Sequence, residues 1–407
     1  MRIPVIAMLA AAVLAVAACD LPERATAVRA AARTSDALAG RPRDGKPMAP
    51  AGAEDASPVL DRVEARVSRA LTRVTIPADD FSMARDAVHP DVACLPEPWN
   101  GARCWAMYTP YLNSDPSWEN PAILVARGED DWAKPAGIRN PIVPWPGPNM
   151  YNSDPDQAFD PGTNALVSVY REVSGGQNRI MLFSTRDART WTHPVLAFAE
   201  RNHDAVSPAL VIDGKRSARM WYVQTGVMGC TATSSQIVMR TAQPAPGQPF
   251  ESAAWSEPQR VAFSQPGFVV WHMDVIPLPN AQGYVAALAS YAPGNGCASS
   301  DVWLAVSRDG LAWNTFAVPV LWRGMKAARD LKIATWYRTA MRYDADADSL
   351  HLWPSGMASN GTWSVFHTAV PFSEIIGLLR SATPADMPRA ALLQRTPVLA
   401  DVLARMP

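Results

Sequence analysis

Polar side chains stand at the start of five short segments of the sequence, and four of these segments contain carboxyl, imidazole or aromatic groups. The segments begin His89-Pro90-Asp91, Asp154-Pro155-Asp156, Val206-Ser207-Pro208, Trp271-His272-Met273-Asp274 and Tyr337-Arg338-Thr339. Such groups suit sugar chemistry, because hydrolysis of a glycosidic bond uses one carboxyl that donates a proton and one that attacks carbon or activates water. The two carboxyls must lie about 5 to 9.5 Å apart to flank the bond. The residue types therefore predict a site built from all five segments.

The five segments are copies of one structural repeat. They recur at intervals of about 50 to 70 residues, the length of a four-stranded blade with its loops. Short β-type runs broken by Gly, Pro, Asn and Asp lie between them, without a sustained helical period. An aromatic-rich second strand follows each start, at residues 104–108, 166–170, 220–223, 284–288 and 350–353. The sequence therefore predicts an all-β fold, a five-bladed β-propeller whose ring buries its strand edges.

Residues from two places in each blade should converge at one mouth of the central channel. These places are the start of the innermost strand and the loop between the second and third strands. We predict catalytic carboxyls at Asp91, Asp156, Glu119 and Asp274. We predict substrate-binding residues at His89, Tyr108, Trp118, Arg171, Glu172, Trp271, His272, Tyr337 and Arg338. The alternative interpretation is that the polar residues at the strand starts only form turns, because Asp, Ser and Pro are also common where chains turn.

Four motifs in the first repeat are distinctive: His89-Pro90-Asp91-Val92, Trp99-Asn100-Gly101, Tyr108-Thr109-Pro110-Tyr111 and Trp118-Glu119-Asn120-Pro121. Together with the repeat order they resemble glycosidase-like five-bladed propellers related to glycoside hydrolase families 43 and 32. Residues 184–191 and 307–313 resemble the Asp-box turns of sialidase and glycosidase propellers, and residues 127–132 are a degenerate copy. The resemblance covers roughly residues 80 to 370 and implies a carbohydrate-handling propeller.

The resemblance also implies roles for individual residues. In family 43 an Asp opening the first blade is the general base, an Asp opening the second tunes the site, and a Glu opening the third is the general acid. By position, the base is Asp91, the tuning residue Asp156, the fourth-blade histidine His272 and the fifth-blade arginine Arg338. The third blade departs from this pattern, because residues 204–208 read Asp-Ala-Val-Ser-Pro and contain no glutamate.

The missing third-blade glutamate leaves two functions open. Glu119 is the predicted substitute acid, because a carboxyl between Trp118 and Pro121 would be desolvated and hold its proton near neutral pH. With this acid the chain is predicted to be a glycoside hydrolase. Without a working acid it would be a non-catalytic glycan-binding or scaffold propeller. A sialidase is disfavoured, because those enzymes close with six blades.

The N-terminal residues predict export and a lipid anchor. The apolar run from Ile3 to Ala17 is shorter than the about 20 residues that a transmembrane helix needs, and Cys19 follows small residues at a cleavage site. We predict a lipoprotein signal peptide at residues 1–19, with the lipid on Cys19. The domain would face the periplasm or the outside of the cell, anchored to the inner or outer membrane. Further predicted boundaries are a disordered tether at 20–56, a helical lead-in at 57–78, the propeller at 79–373 and a helical tail at 374–407.

Four cysteines remain once Cys19 is assigned to lipid. Cys94, Cys104, Cys230 and Cys297 allow three pairings. The first two flank one short predicted hairpin, so the economical choice is Cys94 with Cys104 and Cys230 with Cys297. A zinc site is the rival interpretation, but no Cys/His pair has ligand spacing. No metal or cofactor is predicted, although a structural calcium ion in the channel, with His272 as a ligand, stays open.

The charge balance limits the partners. The 407 residues carry a net charge of −1 and contain no Lys/Arg block, so nucleic acid is not a predicted partner. Fifteen tryptophans suit stacking on sugar rings, though most will fill the core. We therefore predict an oligo- or polysaccharide as the partner, and a monomeric protein.

Overall fold

The structure is a computed structural model that describes residues 57–77, 86–265 and 267–387. The predicted signal peptide, Cys19 and the tether lie outside these ranges, as do residues 78–85 and the predicted tail from residue 388 onward. All five predicted blade starts lie within them. None of the helices in the described ranges is long and apolar enough to cross a membrane.

Five sheets form the body of the protein. In chain order the strands are β1 (Thr72–Arg73), β2 (Ala87–Trp99), β3 (Ala102–Pro110), β4 (Ala122–Ala126), β5 (Trp132–Ala133), β6 (Met150–Asp160), β7 (Ala165–Ser174), β8 (Gln177–Thr185), β9 (Val195–Arg201), β10 (Val206–Ile212), β11 (Ala218–Gln224), β12 (Gln236–Ala242), β13 (Gln259–Arg260), β14 (Ala262–Ser264), β15 (Val269–Pro277), β16 (Tyr284–Tyr291), β17 (Asp301–Ser307), β18 (Ala312–Thr315), β19 (Ile333–Asp344), β20 (Ser349–Ala358) and β21 (Trp363–Pro371). The helices are α1 (Pro58–Ser68), α2 (Lys326–Asp330) and α3 (Phe372–Ser381).

Each sheet is one blade. Blade 1 contains β2–β5, blade 2 β6–β9, blade 3 β10–β13, blade 4 β14–β18 and blade 5 β19–β21 together with β1. Neighbouring strands pair antiparallel, except that β14 lies parallel to β18. The inner strands β2, β6, β10, β15 and β19 contact one another in this order around the ring, and β19 packs against β2. The predicted five-bladed β-propeller is therefore confirmed.

The ring closes where the two ends of the domain meet. β1 comes from the N-terminal side and pairs with β21, so that Thr72 lies opposite His367 and Arg73 opposite Phe366. Helices α1 and α3 pack against each other and against β21, which confirms the predicted flanking helices. α1 ends earlier than the predicted lead-in, whose later residues include β1, and α3 ends at Ser381. Blade 5 is thus built from both ends of the described chain.

The turns between third and fourth strands have the predicted Asp-box geometry in blades 2 and 4. Asp187 Oδ1 accepts hydrogen bonds from the main-chain N–H groups of Arg189 (2.8 Å) and Thr190 (2.7 Å). Asp309 Oδ1 makes the equivalent bonds two and three residues later, at 2.8 and 3.0 Å. Both aspartates hold a turn, so neither is a candidate for chemistry.

Three inner strands share a bulge at a residue that precedes proline. His89, Asp154 and Ser207 have positive φ angles of 53, 51 and 54°, and strand pairing shifts register at each of them. A bulge of this kind changes the direction of a side chain relative to regular alternation. In blades 1 and 2 the residues on both sides of the proline are buried. His89 and Asp154, which precede the proline, lie in one cluster of polar side chains, and Asp91 and Asp156, which follow it, lie in another.

A side chain from each of the first four inner strands bonds the main chain of the next. Asp91 bonds the main chain of Gln157, Asp156 that of Leu210 (2.8 Å), Ser207 that of Met273 (2.8 and 3.0 Å) and Asp274 that of Met341 (2.8 Å). These contacts, called here the interblade bonds, join blades 1 to 2, 2 to 3, 3 to 4 and 4 to 5. All four side chains are buried, so removing one would leave main-chain groups without a hydrogen-bond partner.

We expect Ser207→Ala to lower the free energy of unfolding by about 1 to 3 kcal/mol, because the Met273 N–H and carbonyl both lose a buried partner. Ser168→Ala is the matched control, since the Ser168 hydroxyl is equally buried but has no hydrogen-bond partner. The control should not destabilise the protein. Urea unfolding followed by tryptophan fluorescence measures both changes, and equal losses in the two variants would contradict the role assigned to Ser207.

Two histidines lie in the seam between blades 5 and 1. His351 Nδ1 lies 3.1 Å from His367 Nε2. Arg342 Nη2 lies 3.0 Å from His351 Nε2 and 2.7 Å from Glu129 Oε1, on the β4–β5 turn of blade 1. Burial lowers the pKa of His351 to about 4, assisted by Arg342 and opposed by Asp344. Burial, followed by the charge of His351, lowers the pKa of His367 to about 4 as well.

The lowered histidine pKa values predict an acid-sensitive seam. The folded protein favours the neutral rings, so their contribution to stability is full above about pH 6.5 and is lost as the pH falls toward about 4. The double variant His351→Gln and His367→Gln should flatten this part of the stability profile. Urea unfolding at pH values from 7 down to 4 tests this, and an unchanged slope in the variant would show that other groups cause the loss.

Candidate active site in the central channel

Two histidines and an aspartate meet inside the channel and are called here the mouth cluster. His89 comes from β2, Asp154 from β6 and His272 from β15, so three blades contribute. Asp154 Oδ1 lies 3.2 Å from His89 Nε2 and 3.6 Å from His272 Nδ1. The three residues are at most 3% exposed. Two nitrogen donors and one carboxylate oxygen therefore face a common point.

The facing atoms of the mouth cluster have no hydrogen-bond partners. His89 Nε2, Asp154 Oδ1 and both ring nitrogens of His272 are buried and unsatisfied. Two ligands at about 2.0 to 2.1 Å from a tetrahedral zinc ion would be about 3.3 Å apart, close to the separations found here. Two histidines with one carboxylate also form a common open site for divalent transition metals. The cluster therefore fits a divalent metal ion.

Surrounding groups hold the cluster in place. Arg171 Nε forms an ion pair with Asp154 Oδ2 at 3.0 Å, and the main-chain N–H of Ser207 donates a hydrogen bond to the same oxygen at 3.1 Å. His89 Nδ1 lies 3.0 Å from Thr109 Oγ1. Partners of this kind fix the ring orientation of a ligand and raise its basicity. The bulge before Pro155 therefore positions Asp154 so that its Oδ2 contacts Arg171 and Ser207 while its Oδ1 faces the two histidines.

The electrostatics favour the protonation states that bind metal. Burial lowers the pKa of His89 to about 4 and that of His272 well below its usual value. Burial opposes ionisation of Asp154, but Arg171 and the two histidines outweigh it and lower the pKa of that carboxyl. Neutral imidazoles and an ionised carboxylate are the forms that coordinate metals.

Glu119 lies beside the mouth cluster, as predicted for a mouth residue. It follows a 3-10 turn at Pro116–Trp118, and its carbonyl accepts a hydrogen bond from the Asn152 N–H at 3.0 Å. Its Oε1 lies 3.4 Å from His89 Nδ1, and the residue is 4% exposed. Burial raises the pKa of Glu119 well above its usual value, and the charge of Asp154 adds to this. The carboxyl can therefore carry a proton near neutral pH.

An aromatic pair covers the histidines. Trp271 Nε1 donates to Tyr337 Oη at 2.6 Å. The Tyr337 ring centroid lies 4.2 Å from that of His272 and 5.6 Å from that of His89. These predicted binding residues therefore lie at the mouth cluster, together with His89, His272 and Arg171.

The predicted disulfides are confirmed, and one of them reaches the mouth. Cys94 bonds Cys104 within the β2–β3 hairpin, and Cys230 bonds Cys297. The second bond joins the β11–β12 loop of blade 3 to the β16–β17 loop of blade 4. Cys297 Sγ lies 3.8 Å from Tyr337 Oη, so this bond also packs beside the aromatic pair.

Three predicted catalytic residues lie deeper in the channel, in what is called here the distal cluster. Oxygens of Asp91, Asp156 and Asp274 lie within 4.8 Å of one another. Arg338 Nη2 lies 2.7 Å from Asp156 Oδ2. This spacing is too short to flank a glycosidic bond, and each carboxyl forms an interblade bond. The bulge instead places the residue before each proline, His89 and Asp154, in the mouth cluster, and the catalytic roles of Asp91 and Asp156 stay predictions.

The remaining predicted residues lie outside the cluster. Tyr108 is 1% exposed and packs in the apolar core with Trp132 and Val365. Glu172 pairs with Arg179 at 3.1 Å on blade 2. The binding roles of both residues stay predictions. Trp118 precedes Glu119 and is 38% exposed at the rim.

Sequence reasoning placed Asp154 at a blade start but gave the role in that blade to Asp156, and it missed Thr109 and Tyr151. Asp154 precedes Pro155 as His89 precedes Pro90, and this shared pattern is the signal that could have identified it. Thr109 and Tyr151 carried no such signal. The Arg171 guanidinium lies over the Tyr151 ring, with its carbon 5.8 Å from the ring centroid.

Five blades around a channel with a buried polar mouth define a propeller of the glycosidase-like architectural class, and the predicted resemblance is confirmed at the level of the fold. No family model matches the sequence. An A type blood N-acetyl-α-D-galactosamine deacetylase from Flavonifractor plautii is 28% identical over 357 residues, which cover 76% of this chain and 44% of that protein. The chain therefore spans less than half the length of this curated relative.

Solved structures share the fold. The crystal structure of an N-acetylgalactosamine deacetylase from F. plautii, in complex with blood group B trisaccharide, superposes with a TM-score of 0.65 at 23% identity. The match covers 77% of this chain and 98% of that one. A thermostable family-43 glycoside hydrolase has a TM-score of 0.49 at 16% identity, over 70% of this chain and 89% of that one.

Proposed function

We propose that the protein is a metal-dependent hydrolase that removes the acetyl group from an N-acetylated sugar of a glycan. The observation that carries the proposal is the mouth cluster, with its four buried, unpartnered donor atoms on His89, Asp154 and His272. The sequence similarity to a protein named as an N-acetyl-α-D-galactosamine deacetylase supports the same chemistry. The sequence predicted no metal ion, and that prediction stays untested. The geometry of the mouth cluster leads us to propose that a metal ion binds there.

The proposed reaction is hydrolysis of an amide. The oxygen of water bonds to the acetyl carbon, the carbon–nitrogen bond breaks, and a proton passes from water to the amine, giving acetate and an amino sugar. A divalent metal held by His89, Asp154 and His272 would supply a Lewis acid and lower the pKa of water. Glu119 is placed to move the proton, because it is a buried carboxyl beside His89 with a raised pKa.

Glycoside hydrolysis, the activity predicted from sequence, has less support. Ser207 precedes the third-blade proline, and its hydroxyl is bonded to the main chain of Met273. Asp91 lies within 4.8 Å of two other carboxyls, closer than the pair that flanks a glycosidic bond, and it already forms an interblade bond. The alternative of a glycan-binding or scaffold propeller leaves the unpartnered histidine and aspartate atoms without a role.

The rim supports an extended glycan as the substrate. Trp118 and Trp145 are 38% and 51% exposed. Asn152 Nδ2 bonds Asn120 Oδ1 and the carbonyl of Pro144, so the segments that carry the two indoles are tied together beside Glu119. Exposed indoles offer flat surfaces on which sugar rings stack. Lipid attachment at Cys19, the envelope location and the monomeric state stay predictions from the sequence.

The proposed reaction predicts that the protein releases acetate. We expect the full chain to release acetate from an oligosaccharide ending in an N-acetylhexosamine, and to stop after EDTA treatment until a divalent metal is restored. Glu119→Gln should lower kcat/KM by about 100-fold or more, because proton transfer is lost. His272→Ala should abolish both activity and metal binding at the mouth.

Matched controls separate chemistry from folding. Glu172→Gln makes the same change at a carboxyl outside the cluster, and His351→Ala removes a histidine from the seam. Both should keep kcat/KM within about threefold of the parent. Release of free sugar instead of acetate would establish a glycosidase, and binding without any release would establish a glycan-binding propeller.

The exposed tryptophans at the rim are predicted to bind the outer sugars of the substrate. Trp118→Ala and Trp145→Ala should each raise KM for an oligosaccharide by about tenfold, while leaving a monosaccharide substrate unaffected, because stacking acts on the outer sugars. Leu196→Ala is the control, since Leu196 is 55% exposed on the fourth strand of blade 2. Steady-state kinetics on both substrates measure the effect, and equal changes on the two would argue against a rim subsite.

A further inference from the structure

A polar cavity lies in the channel, at the end toward which the inner strands run. It has a volume of about 320 Å³ and is lined by the later residues of all five inner strands: 91–94, 156–159, 210–212, 274–277 and 341–343. The mouth cluster comes from earlier positions on the same strands and is not part of its lining. The carboxyls of the distal cluster, Asp91, Asp156 and Asp274, lie at the inner end of this cavity. The space is large enough for an ion with several waters.

The distal cluster has an excess of negative charge. Three carboxyl groups place oxygens within 4.8 Å of one another, and each residue is at most 6% exposed. Arg338 forms a salt bridge with Asp156 at 2.7 Å. Arg342 also lines the cavity but is paired with Glu129 at 2.7 Å. If all three carboxyls are ionised, the Arg338 guanidinium leaves two negative charges, the charge that one divalent cation would balance.

Two oxygen atoms that line the cavity lack hydrogen-bond partners. One is Asp91 Oδ2, and the other is Oε1 of Gln157, an amide that is 5% exposed. The Gln157 Nε2 group donates to the Trp105 carbonyl at 2.7 Å. Buried polar atoms are rarely left without a partner. The Gln157 side chain also contacts Asp91 and lines the cavity, so an uncharged oxygen donor lies beside the carboxyls.

We infer that the distal cluster binds a hard divalent cation, calcium by preference, as a site separate from the mouth cluster. The donors would be Asp91 Oδ2, Gln157 Oε1 and carboxylate oxygens of Asp156 and Asp274, with water from the cavity completing the shell. An all-oxygen set suits calcium, whereas the imidazoles of the mouth cluster suit transition metals. A carboxylate oxygen that accepts one N–H bond keeps a second lone pair for a cation. The ion would tie blades 1, 2 and 4 together across the channel.

Calcium binding to the full chain tests this site without any activity measurement. After chelator treatment and dialysis, titration with CaCl2 should show one saturable site and a melting temperature that rises with calcium until saturation. Asp91→Asn, which keeps an acceptor for the Gln157 main chain, should weaken calcium binding at least tenfold. His272→Ala should bind calcium like the parent, because it disrupts only the mouth cluster.

Gln157→Leu is the second variant, because it removes the amide oxygen without changing any charge. It should also weaken calcium binding tenfold or more, so a folding defect in Asp91→Asn would not leave the question open. Absence of a saturable calcium site in the parent would overturn the inference and mean that protons balance the cluster. Calcium binding that is lost in His272→Ala but kept in Asp91→Asn would assign the ion to the mouth cluster instead.

Discussion

The structure depends on hydrogen bonds between the inner strand of one blade and the main chain of the next. Asp91, Asp156, Ser207 and Asp274 each make such a contact, and together they register blades 1 to 5 around the channel. A propeller blade contacts its neighbours mainly through apolar side chains, which resist separation but allow sliding. Directional bonds to main-chain groups remove that freedom, because each acceptor must meet one particular N–H group. The channel can therefore position side chains from three blades around one point.

The same registration separates two polar environments a few residues apart. The bulge before proline directs His89 and Asp154 into the mouth cluster, while Asp91 and Asp156 enter the distal cluster. The mouth cluster contains nitrogen ligands beside a buried carboxyl, an arrangement suited to bond-breaking chemistry. The distal cluster contains only oxygen donors, and its residues already bond neighbouring strands. The residues before and after the proline of the same short motif thus lie in two environments, the first of which we propose as the site of chemistry.

The fold could be read from the sequence because its signals are local and repeated. Aromatic second strands, Asp-box turns and four paired cysteines each specify a short piece of chain, and five copies leave few alternatives. The site could be predicted only in part. His89, His272, Arg171, Glu119 and Tyr337 follow from their positions at strand starts and loops, and the structure brings them together. Regular alternation does not reveal a bulge, so the depth of Asp91 relative to Asp154 could not be derived without the backbone conformation.

The pairing of β1 with β21 has a consequence for the order of folding. Almost 300 residues separate Thr72 from His367, so the last blade receives its outer strand only when both ends of the domain are available. Contacts of such long sequence separation form late, since a large loop has to close first. A chain folded only as far as blade 4 would therefore expose the flank of blade 1 that blade 5 normally covers.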